Sequence, residues 1–207
     1  MKVSYGILTH NEGECVETLI SFLVKHKRPE DEIVVVDDFS TETTKDILEA
    51  HLAEDHITLY RRALDKDFAS QKNYLNSKCT GDYIFQIDAD ELPTEYMIEN
   101  LHILLEENPT VELFLVPRVN TVSGLTEDHI KTWGWNVNEN GWVNFPDFQT
   151  RLYKNHRDIF WKGKVHEKIV YVETYAELPK YEAWSLQHHK DVKRQELQNE
   201  FYSNTFI

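Results

Sequence analysis

Short apolar runs alternate with segments of helical periodicity over the first 120 residues of the chain. The β-branched run at 33–36 is typical of a parallel strand that is covered on both faces. The predicted strands are 3–8, 33–36, 57–60, 83–87 and 113–117, and the predicted helices are 13–27, 43–52, 68–77 and 94–106. This alternation predicts an α/β fold with a mostly parallel central sheet and right-handed crossovers.

The pattern changes after Pro117. Periodicity becomes poor, glycines are interspersed, and aromatic residues crowd together at Trp133, Trp135, Trp142, Phe145, Phe148 and Trp161. We expect irregular loops and short strands that cap the sheet, followed by a final helix at 191–201. A length of 207 residues is enough for one sizeable domain and long for two.

Composition and charge exclude several classes of function. Hydrophobic residues make up 41% of the chain and aromatic residues 12%, so a core can form. The formal net charge of −14 disfavours nucleic acid as a partner and suits an acidic pocket that recruits a divalent cation. Cys15 and Cys79 form no disulfide or zinc pattern, which favours a reducing, cytoplasmic compartment. The apolar start is too short for a signal peptide, and we expect no transmembrane segment.

Polar clusters follow three of the predicted strands. The clusters are Thr9, His10, Asn11 and Glu12 after the first strand, Asp37, Asp38 and Ser40 after the second, and Asp88, Asp90 and Glu91 after the strand at 83–87. Ligands of open parallel sheets bind beyond the carboxyl ends of the strands, where the strand order reverses. The three clusters therefore predict one shared pocket.

Asp88 and Asp90 flank a small residue at a strand end. Carboxylates two positions apart in extended backbone point the same way, so both can face one ion. Mg²⁺ or Mn²⁺ would relieve their repulsion and keep positions open for phosphate oxygens. The alternative is a solvated acidic turn in which Asp90 or Glu91 caps the helix after Pro93.

The chain resembles the family-2 glycosyltransferases, which have the GT-A, Rossmann-like fold. SYGILTHNE, IVVVDDFSTETT, FASQKN and YIFQIDADE carry the resemblance in the first half. In the second half, WVNFPDFQTRLYKN, GKVHEKI and HHKDVKRQ resemble small bacterial and phage transferases related to lipopolysaccharide-core enzymes. The resemblance implies a single GT-A domain over 1–207, with helices on both faces of its sheet. Residues 1–118 would bind the nucleotide sugar, and residues 119–207 would form an irregular, aromatic acceptor side with a C-terminal helix.

The activity implied by the resemblance is metal-dependent, inverting transfer of a sugar to an acceptor hydroxyl. The expected donor is a nucleotide diphosphate sugar, with a UDP-sugar favoured, and the expected acceptor is a glycan. The expected cofactor is Mn²⁺ or Mg²⁺. The implied nucleotide-sugar contacts are Thr9, Asn11, Glu12, Asp38, Lys72, Asp88 and Ala89, and the implied metal ligands are Asp90, Asp88 and His188. Asp37 would support the structure, while Thr9 and Asn11 as helix caps and Lys72 as a solvated residue are the alternatives.

Two carboxylates compete for the role of catalytic base. Glu167 lies in GKVHEKI, where the resembled subgroup also has a His-Glu pair. Asp147 lies in FPDFQTR, but the usual Glu-Asp dipeptide is missing there. We favour Glu167, with Asp147 as the second candidate. The structural alternatives are an ion pair of Glu167 with Lys164 or Lys168, and of Asp147 with Arg151.

A late histidine often completes the metal site in enzymes of this fold. The resemblance favours His188, with His189 as the fallback; since neighbours in an extended segment point oppositely, one of the two would ligate. Lys190 and Arg194 would either meet the diphosphate or serve as ordinary helix-start charges. Trp133, Trp135 and Trp142 are candidates for acceptor contact, because an aromatic face packs against a sugar ring; the alternative is a core role.

Two other functions stay open on the sequence. A nucleotidyltransferase of related fold would normally show a glycine-rich phosphate loop, which SYGILTHNEGE lacks. A non-catalytic nucleotide- or sugar-binding module would keep the pocket without turnover.

Overall fold

The computed structural model describes residues 1–164 and 166–196. Every element predicted before residue 117 is present, with its ends shifted by at most two residues. The helices are α1 (Glu14–His26), α2 (Glu42–Ala53), α3 (Phe68–Asn76), α4 (Glu95–Glu107) and α5 (Glu127–Trp133), with a 3-10 turn at Glu182–Trp184. The strands are β1 (Val3–Thr9), β2 (Glu32–Asp37), β3 (Thr58–Arg61), β4 (Tyr83–Asp88), β5 (Glu91–Leu92), β6 (Leu113–Val116), β7 (Arg118–Ser123), β8 (Gln149–Lys154), β9 (Phe160–Lys162), β10 (Lys168–Val170), β11 (Tyr175–Glu177) and β12 (Leu186–Asp191).

Seven strands form the central sheet in the order β11-β6-β8-β4-β1-β2-β3. Six of them run parallel, and β8 runs antiparallel to its neighbours β4 and β6. The strand order reverses between β1 and β4, which pair directly. This α/β sheet confirms the predicted fold class and places a switch point at the carboxyl ends of β1 and β4.

The prediction that the second half only caps the sheet was wrong. Strand β8 lies inside the sheet between β4 and β6, and β11 forms one of its edges. Leu152 and Tyr153, adjacent on β8, are both completely buried, because both faces of the sheet are covered there. Such a strand lacks the alternation that marks a half-buried strand, which explains why the sequence pattern did not reveal it.

Helices cover both faces of the sheet. Apolar side chains of α1, α2 and α4 pack on the face that carries Tyr5, Ile7 and Phe85. Helix α3 and β9 cover the other face. At Gly6 a Cβ atom would lie 2.9 Å from Leu75 Cδ2, so a glycine here lets α3 approach the centre of the sheet.

A second sheet of three strands, β5-β12-β7, lies at the carboxyl end of β4. Its register places His188 of β12 beside Glu91 on one side and Asn120 on the other. Of the final helix expected at 191–201, residues 192–196 are helical, Asp191 ends β12, and 197–201 lie outside the described residues. Among the described helices, we find no segment long and apolar enough to cross a bilayer.

Candidate functional site

A cavity of about 540 Å³, here called the strand-end cavity, opens at the carboxyl ends of β1, β2 and β4. It lies at the switch point of the sheet, where ligands of such folds bind. Six of the seven residues predicted for nucleotide-sugar binding line it, together with predicted metal and base residues. Its lining includes Thr9, Glu12, Asp38, Lys72, Asp88, Ala89, Asp90 and Glu167. The three polar strand ends therefore converge as the sequence predicted.

Asn11 is the predicted contact that does not line this cavity. Its side-chain Oδ1 accepts a 2.8 Å hydrogen bond from the backbone amide of Thr41, and its backbone amide donates to Ser40 Oγ at 2.9 Å. Asn11 has a φ of 55°, a left-handed conformation that asparagine tolerates well. In this arrangement its side chain joins the β1–α1 turn to the start of α2.

The adjacent acids Asp37 and Asp38 have different surroundings. Asp37 is fully buried, and both its carboxylate oxygens accept from the Ser40 amide, at 3.0 and 3.2 Å. Asp38 lines the cavity, and its Oδ1 accepts from the Leu64 amide at 3.0 Å. Asp37 thus shapes the turn, while Asp38 is held rigidly at the cavity wall.

Asp90, in the turn that follows β4, lines the strand-end cavity and contacts His188 of β12. His188 Nε2 lies 3.4 Å from Asp90 Oδ2. Burial opposes ionisation of Asp90, but contact with the His188 ring and the positive charges of Lys190 and Arg194 hold its pKa well below the usual value. The carboxylate is therefore ionised at neutral pH. A carboxylate and an imidazole are a donor set that suits Mn²⁺.

Asp88, the third expected metal ligand, pairs instead with Arg151. Burial opposes its ionisation, yet the charges of Arg151 and Lys72 lower its pKa. Among the described residues the structure thus brings Asp90 and His188 together and directs Asp88 toward a guanidinium. This contact engages Oδ2, so metal ligation by Asp88 would use Oδ1 or require the pair with Arg151 to separate.

A buried ion cluster supports these strand ends. The carboxylate of Glu91, completely buried, accepts from Arg118 Nη1 at 2.9 Å and from Arg151 Nη2 at 2.8 Å. Burial alone would lower the pKa of Arg151, but Asp88 and Glu91 raise it. The cluster joins β5, β7 and β8 beneath the cavity. From the sequence, Glu91 was expected either in the acidic cluster at the strand end or as a cap of the following helix, and its two arginine partners were not predicted.

Glu167 lies at the junction of two cavities. It lines both the strand-end cavity and a neighbouring cavity of about 430 Å³, here called the central cavity. Its Oε1 accepts a 2.5 Å hydrogen bond from Lys72 Nζ, so its ion-pair partner is neither Lys164 nor Lys168. Lys72 Nζ lies 4.0 Å from the ring centroid of Trp161. Trp161 lines the central cavity, although its sequence position marked it only as one of several crowded aromatic residues.

Asp147 is surrounded by hydrogen-bond donors. Its Oδ2 accepts from Arg118 Nη2 at 2.7 Å and from Asn120 Nδ2 at 2.8 Å, while its Oδ1 accepts from Gln149 Nε2 at 2.8 Å. Its partner is thus Arg118, not Arg151. Burial opposes ionisation, but Arg118 and these hydrogen bonds lower its pKa. A carboxylate with both oxygens engaged and a lowered pKa is a weak proton acceptor.

The three predicted tryptophans have different environments. Trp135 lines a cavity of about 340 Å³, here called the outer cavity, which shares Arg118, His188 and Lys190 with the central cavity. Trp133 stacks on His129 and contacts Trp135, with ring centroids 4.9 and 4.7 Å apart. Trp142 packs against Phe145 and lines none of the three cavities.

The remaining late residues divide between the two faces of β12. His189 contacts Thr121 Oγ1 at 2.9 Å and Ser123 Oγ at 3.3 Å, away from Asp90. Arg194 Nη2 lies 2.9 Å from Glu12 Oε2 and 3.2 Å from Asp90 Oδ2. The structure therefore places His188, not His189, against the acidic strand end, as the alternation of β12 requires.

Comparisons with known proteins identify the family to which the chain belongs. The model of the family described as Glycosyl transferase family 2 matches residues 4–171. "Glycosyltransferase GlyG" of Streptococcus pneumoniae serotype 4 is 29% identical over 106 residues, 51% of this chain and 35% of that protein. "SPbeta prophage-derived glycosyltransferase SunS" of Bacillus subtilis is 25% identical over 166 residues, 80% of this chain and 34% of that protein. The matches span about a third of the length of these curated relatives.

Solved structures share the fold. The crystal structure of S. aureus TarS 1-349 superposes with a TM-score of 0.66 at 16% identity, covering 91% of this chain and 60% of that chain. The same fragment in complex with UDP-GlcNAc gives a TM-score of 0.57 at 18% identity, covering 89% of this chain and 60% of that chain. At these identities the likeness concerns the fold, which is GT-A.

Proposed function

Because the chain belongs to glycosyl transferase family 2, we propose that it transfers a sugar from a UDP-sugar to an acceptor hydroxyl with inversion, using a divalent metal. The observation that carries this proposal is the pair formed by Asp90 and His188, 3.4 Å apart. Asp90 lines the strand-end cavity, and both residues line the central cavity. A carboxylate that is ionised at neutral pH and faces an imidazole, beside a cavity large enough for a nucleotide, fits a metal that holds a diphosphate.

The nucleotide would lie in the strand-end cavity. Asp38, held by the Leu64 amide, would accept a hydrogen bond from the base, and uracil N3–H is a suitable donor. Thr9 Oγ1 is buried without a partner among the described residues, which leaves it available to the nucleotide. The GT-A fold of TarS, which was solved with UDP-GlcNAc, adds support for a uridine carrier.

The metal would be held by Asp90 and His188, with Asp88 as a third ligand through the carboxylate oxygen that does not contact Arg151. When bound, Mn²⁺ or Mg²⁺ supplies Lewis-acid stabilisation of the leaving diphosphate. Lys72, at the wall of the same cavity, would add a positive charge near the phosphates.

The proton of the acceptor hydroxyl would go to Glu167. This carboxylate lies where the strand-end and central cavities share a wall, so an acceptor in the central cavity would meet the sugar there. The bond from the acceptor oxygen to the anomeric carbon forms on one side while the bond to the diphosphate breaks on the other, which inverts the configuration. Asp147 is less suited, since its oxygens are occupied by Arg118, Asn120 and Gln149.

The acceptor would extend from the central cavity into the outer cavity, beside Trp135. Both contain polar side chains with an aromatic ring, the composition expected for a glycan-binding site.

Cys15 and Cys79 are both unpaired, which supports a reducing, cytoplasmic compartment.

Turnover of a donor panel tests the proposal. The protein is incubated with UDP-, GDP- and dTDP-sugars, with Mn²⁺ or with chelator, and nucleotide release is followed over time. We expect slow, Mn²⁺-dependent release from a UDP-sugar, abolished in Asp90→Asn and retained in Asp46→Asn, which changes an exposed aspartate of α2. Nucleotide binding without release from any donor would instead favour a binding module, and pyrophosphate release from a triphosphate would favour a nucleotidyltransferase.

A further inference from the structure

Three side chains, Asp147, Asn120 and His188, form a hydrogen-bonded row that ends beside Asp90 at the proposed metal position. Asn120 Nδ2 donates to Asp147 Oδ2 at 2.8 Å, and Asn120 Oδ1 lies 2.7 Å from His188 Nδ1. The other nitrogen of the ring, His188 Nε2, lies 3.4 Å from Asp90 Oδ2. These contacts run from the segment before β8 through β7 and β12 to the turn after β4.

The direction of each hydrogen bond in this row follows from its first member. An ionised carboxylate only accepts hydrogen bonds, and Asp147 is kept ionised by Arg118, which donates to it through Nε and Nη2 at 2.9 and 2.7 Å. Asn120 must therefore turn its NH₂ group toward Asp147. Its carbonyl oxygen then faces His188, so the ring nitrogen at 2.7 Å must be the one that carries the proton.

We propose that Asp147 and Asn120 are positioning residues that hold neutral His188 as its Nδ1–H tautomer, with the lone pair of Nε2 directed at the metal position beside Asp90. This inference rests on the proposed metal-dependent function. A metal-bound histidine binds through an unprotonated nitrogen, and its other N–H is typically held by a carbonyl or carboxylate. The row supplies that partner and accounts for Asp147 without making it a base.

The opposite tautomer conflicts with the geometry. A proton on Nε2 would satisfy Asp90, but it would leave the lone pair of Nδ1 facing the lone pairs of Asn120 Oδ1 at 2.7 Å. Rotating the Asn120 amide would remove that conflict and create another, because its oxygen would then face the Asp147 carboxylate. The 2.7 Å contact of His188 Nδ1 with Asn120 is shorter than the 3.4 Å contact of Nε2 with Asp90, and it therefore determines which ring nitrogen carries the proton.

Nitrogen-15 NMR of the metal-free protein measures the tautomer directly. The resonances of His188 are identified among the ten histidines as those missing from His188→Gln, at a pH where the ring is neutral. We expect the proton on Nδ1. A proton on Nε2 in the wild type would overturn the inference, whatever the activity of the protein.

Variants separate positioning from simple structural support. Asn120→Leu keeps a side chain of similar size without an acceptor, and we expect it to lose the Nδ1–H preference and to bind Mn²⁺ in the presence of UDP about 10- to 100-fold more weakly. The exchange Asn120→Asp with Asp147→Asn reverses the donor and acceptor between the two positions while still presenting an acceptor to His188. We expect this double variant to keep the tautomer and most of the affinity.

His189→Ala is the matched control, since His189 lies on the other face of β12 against Thr121, and its Mn²⁺ affinity should be unchanged. Retention of the tautomer and of Mn²⁺ affinity in a folded Asn120→Leu would also overturn the inference. If the wild type shows the Nδ1–H tautomer but binds no Mn²⁺ with UDP, the proposed metal dependence fails while the tautomer assignment stands.

Discussion

Lys72 Nζ donates a 2.5 Å hydrogen bond to Glu167 Oε1 at the wall shared by the strand-end and central cavities. The contact joins α3 to the segment before β10, 95 positions apart in sequence. The ammonium group of Lys72 pairs with the carboxylate of Glu167 while no ligand is bound. A diphosphate near Lys72 would compete for the ammonium group and leave Glu167 able to accept a proton.

We therefore expect Glu167→Gln to reduce kcat for transfer by about 10²- to 10⁴-fold, the usual contribution of a general base. Affinity for UDP with Mn²⁺, measured by calorimetry, should change little because the carboxylate acts on the acceptor. Glu173→Gln, at an exposed position, is the control. Wild-type kcat in Glu167→Gln would exclude this residue as the base.

Arg194 contacts Glu12 and Asp90, next to the proposed metal position. Its guanidinium competes with a cation for Asp90, so Arg194→Ala should bind Mn²⁺ more tightly when no nucleotide is present. Half-exposed ion pairs contribute little, and we expect a gain of no more than about fivefold. Arg157→Ala, whose side chain is 90% exposed, should leave the affinity unchanged. Weaker Mn²⁺ binding in Arg194→Ala, seen by paramagnetic resonance, would contradict this competition.

Trp135 is the tryptophan predicted for acceptor contact that lines the outer cavity. Trp135→Ala should raise KM for a glycan acceptor by up to about tenfold through loss of aromatic packing. The rate of donor hydrolysis without acceptor should stay the same. Trp142→Ala, which removes a ring packed on Phe145, serves as the comparison. Equal effects of the two substitutions on KM would argue for a general structural role.

The ionisation of Glu32 makes the folding stability depend on pH. Burial opposes its ionisation, but hydrogen bonds from Ser4, Thr80 and Lys2 lower its pKa from 4.5 to about 2. Since the folded pKa lies below the unfolded one, the stabilisation is present above about pH 4.5 and is lost as pH falls toward 2. The side chain is 22% exposed, so after allowance for solvent screening we expect about 1–2 kcal/mol.

Urea unfolding across this pH window measures the effect. Glu32→Gln should be less stable than the wild type at neutral pH, and the difference should shrink as the pH approaches 2. Glu54→Gln, 68% exposed, should follow the wild type at every pH. A constant difference between Glu32→Gln and the wild type would show that the lost contact is not electrostatic.

The sequence predicted the parallel half of the fold because its strands are continuous apolar runs separated by amphipathic helices, as at β2 and α1. It also placed the strand-end carboxylates correctly, since Asp38, Asp88 and Asp90 follow such runs directly. Local periodicity carries this information, and the switch-point rule converts it into a site.

Local sequence patterns did not predict the long-range contacts that position the site residues. Arg151 pairs with Asp88 across 63 positions, and His188 meets Asn120 across 68. Both contacts depend on where β8 and β12 enter their sheets, and neither strand shows a distinctive period in the sequence. Asp147 was a candidate base because of its sequence motif. Its surroundings, which are apparent only in the folded structure, hold it as an ionised carboxylate.

Strand β6 is synthesised before either of its partners, because β8 and β11 both follow it in the chain. On the ribosome, β4 and β6 therefore emerge with unpaired edges that are prone to aberrant association. Completion of the sheet must wait until β8 and then β11, up to residue 177, have left the exit tunnel. Translation thus delivers β1, β2 and β4 early, but β4 gains its second neighbour only when β8 arrives.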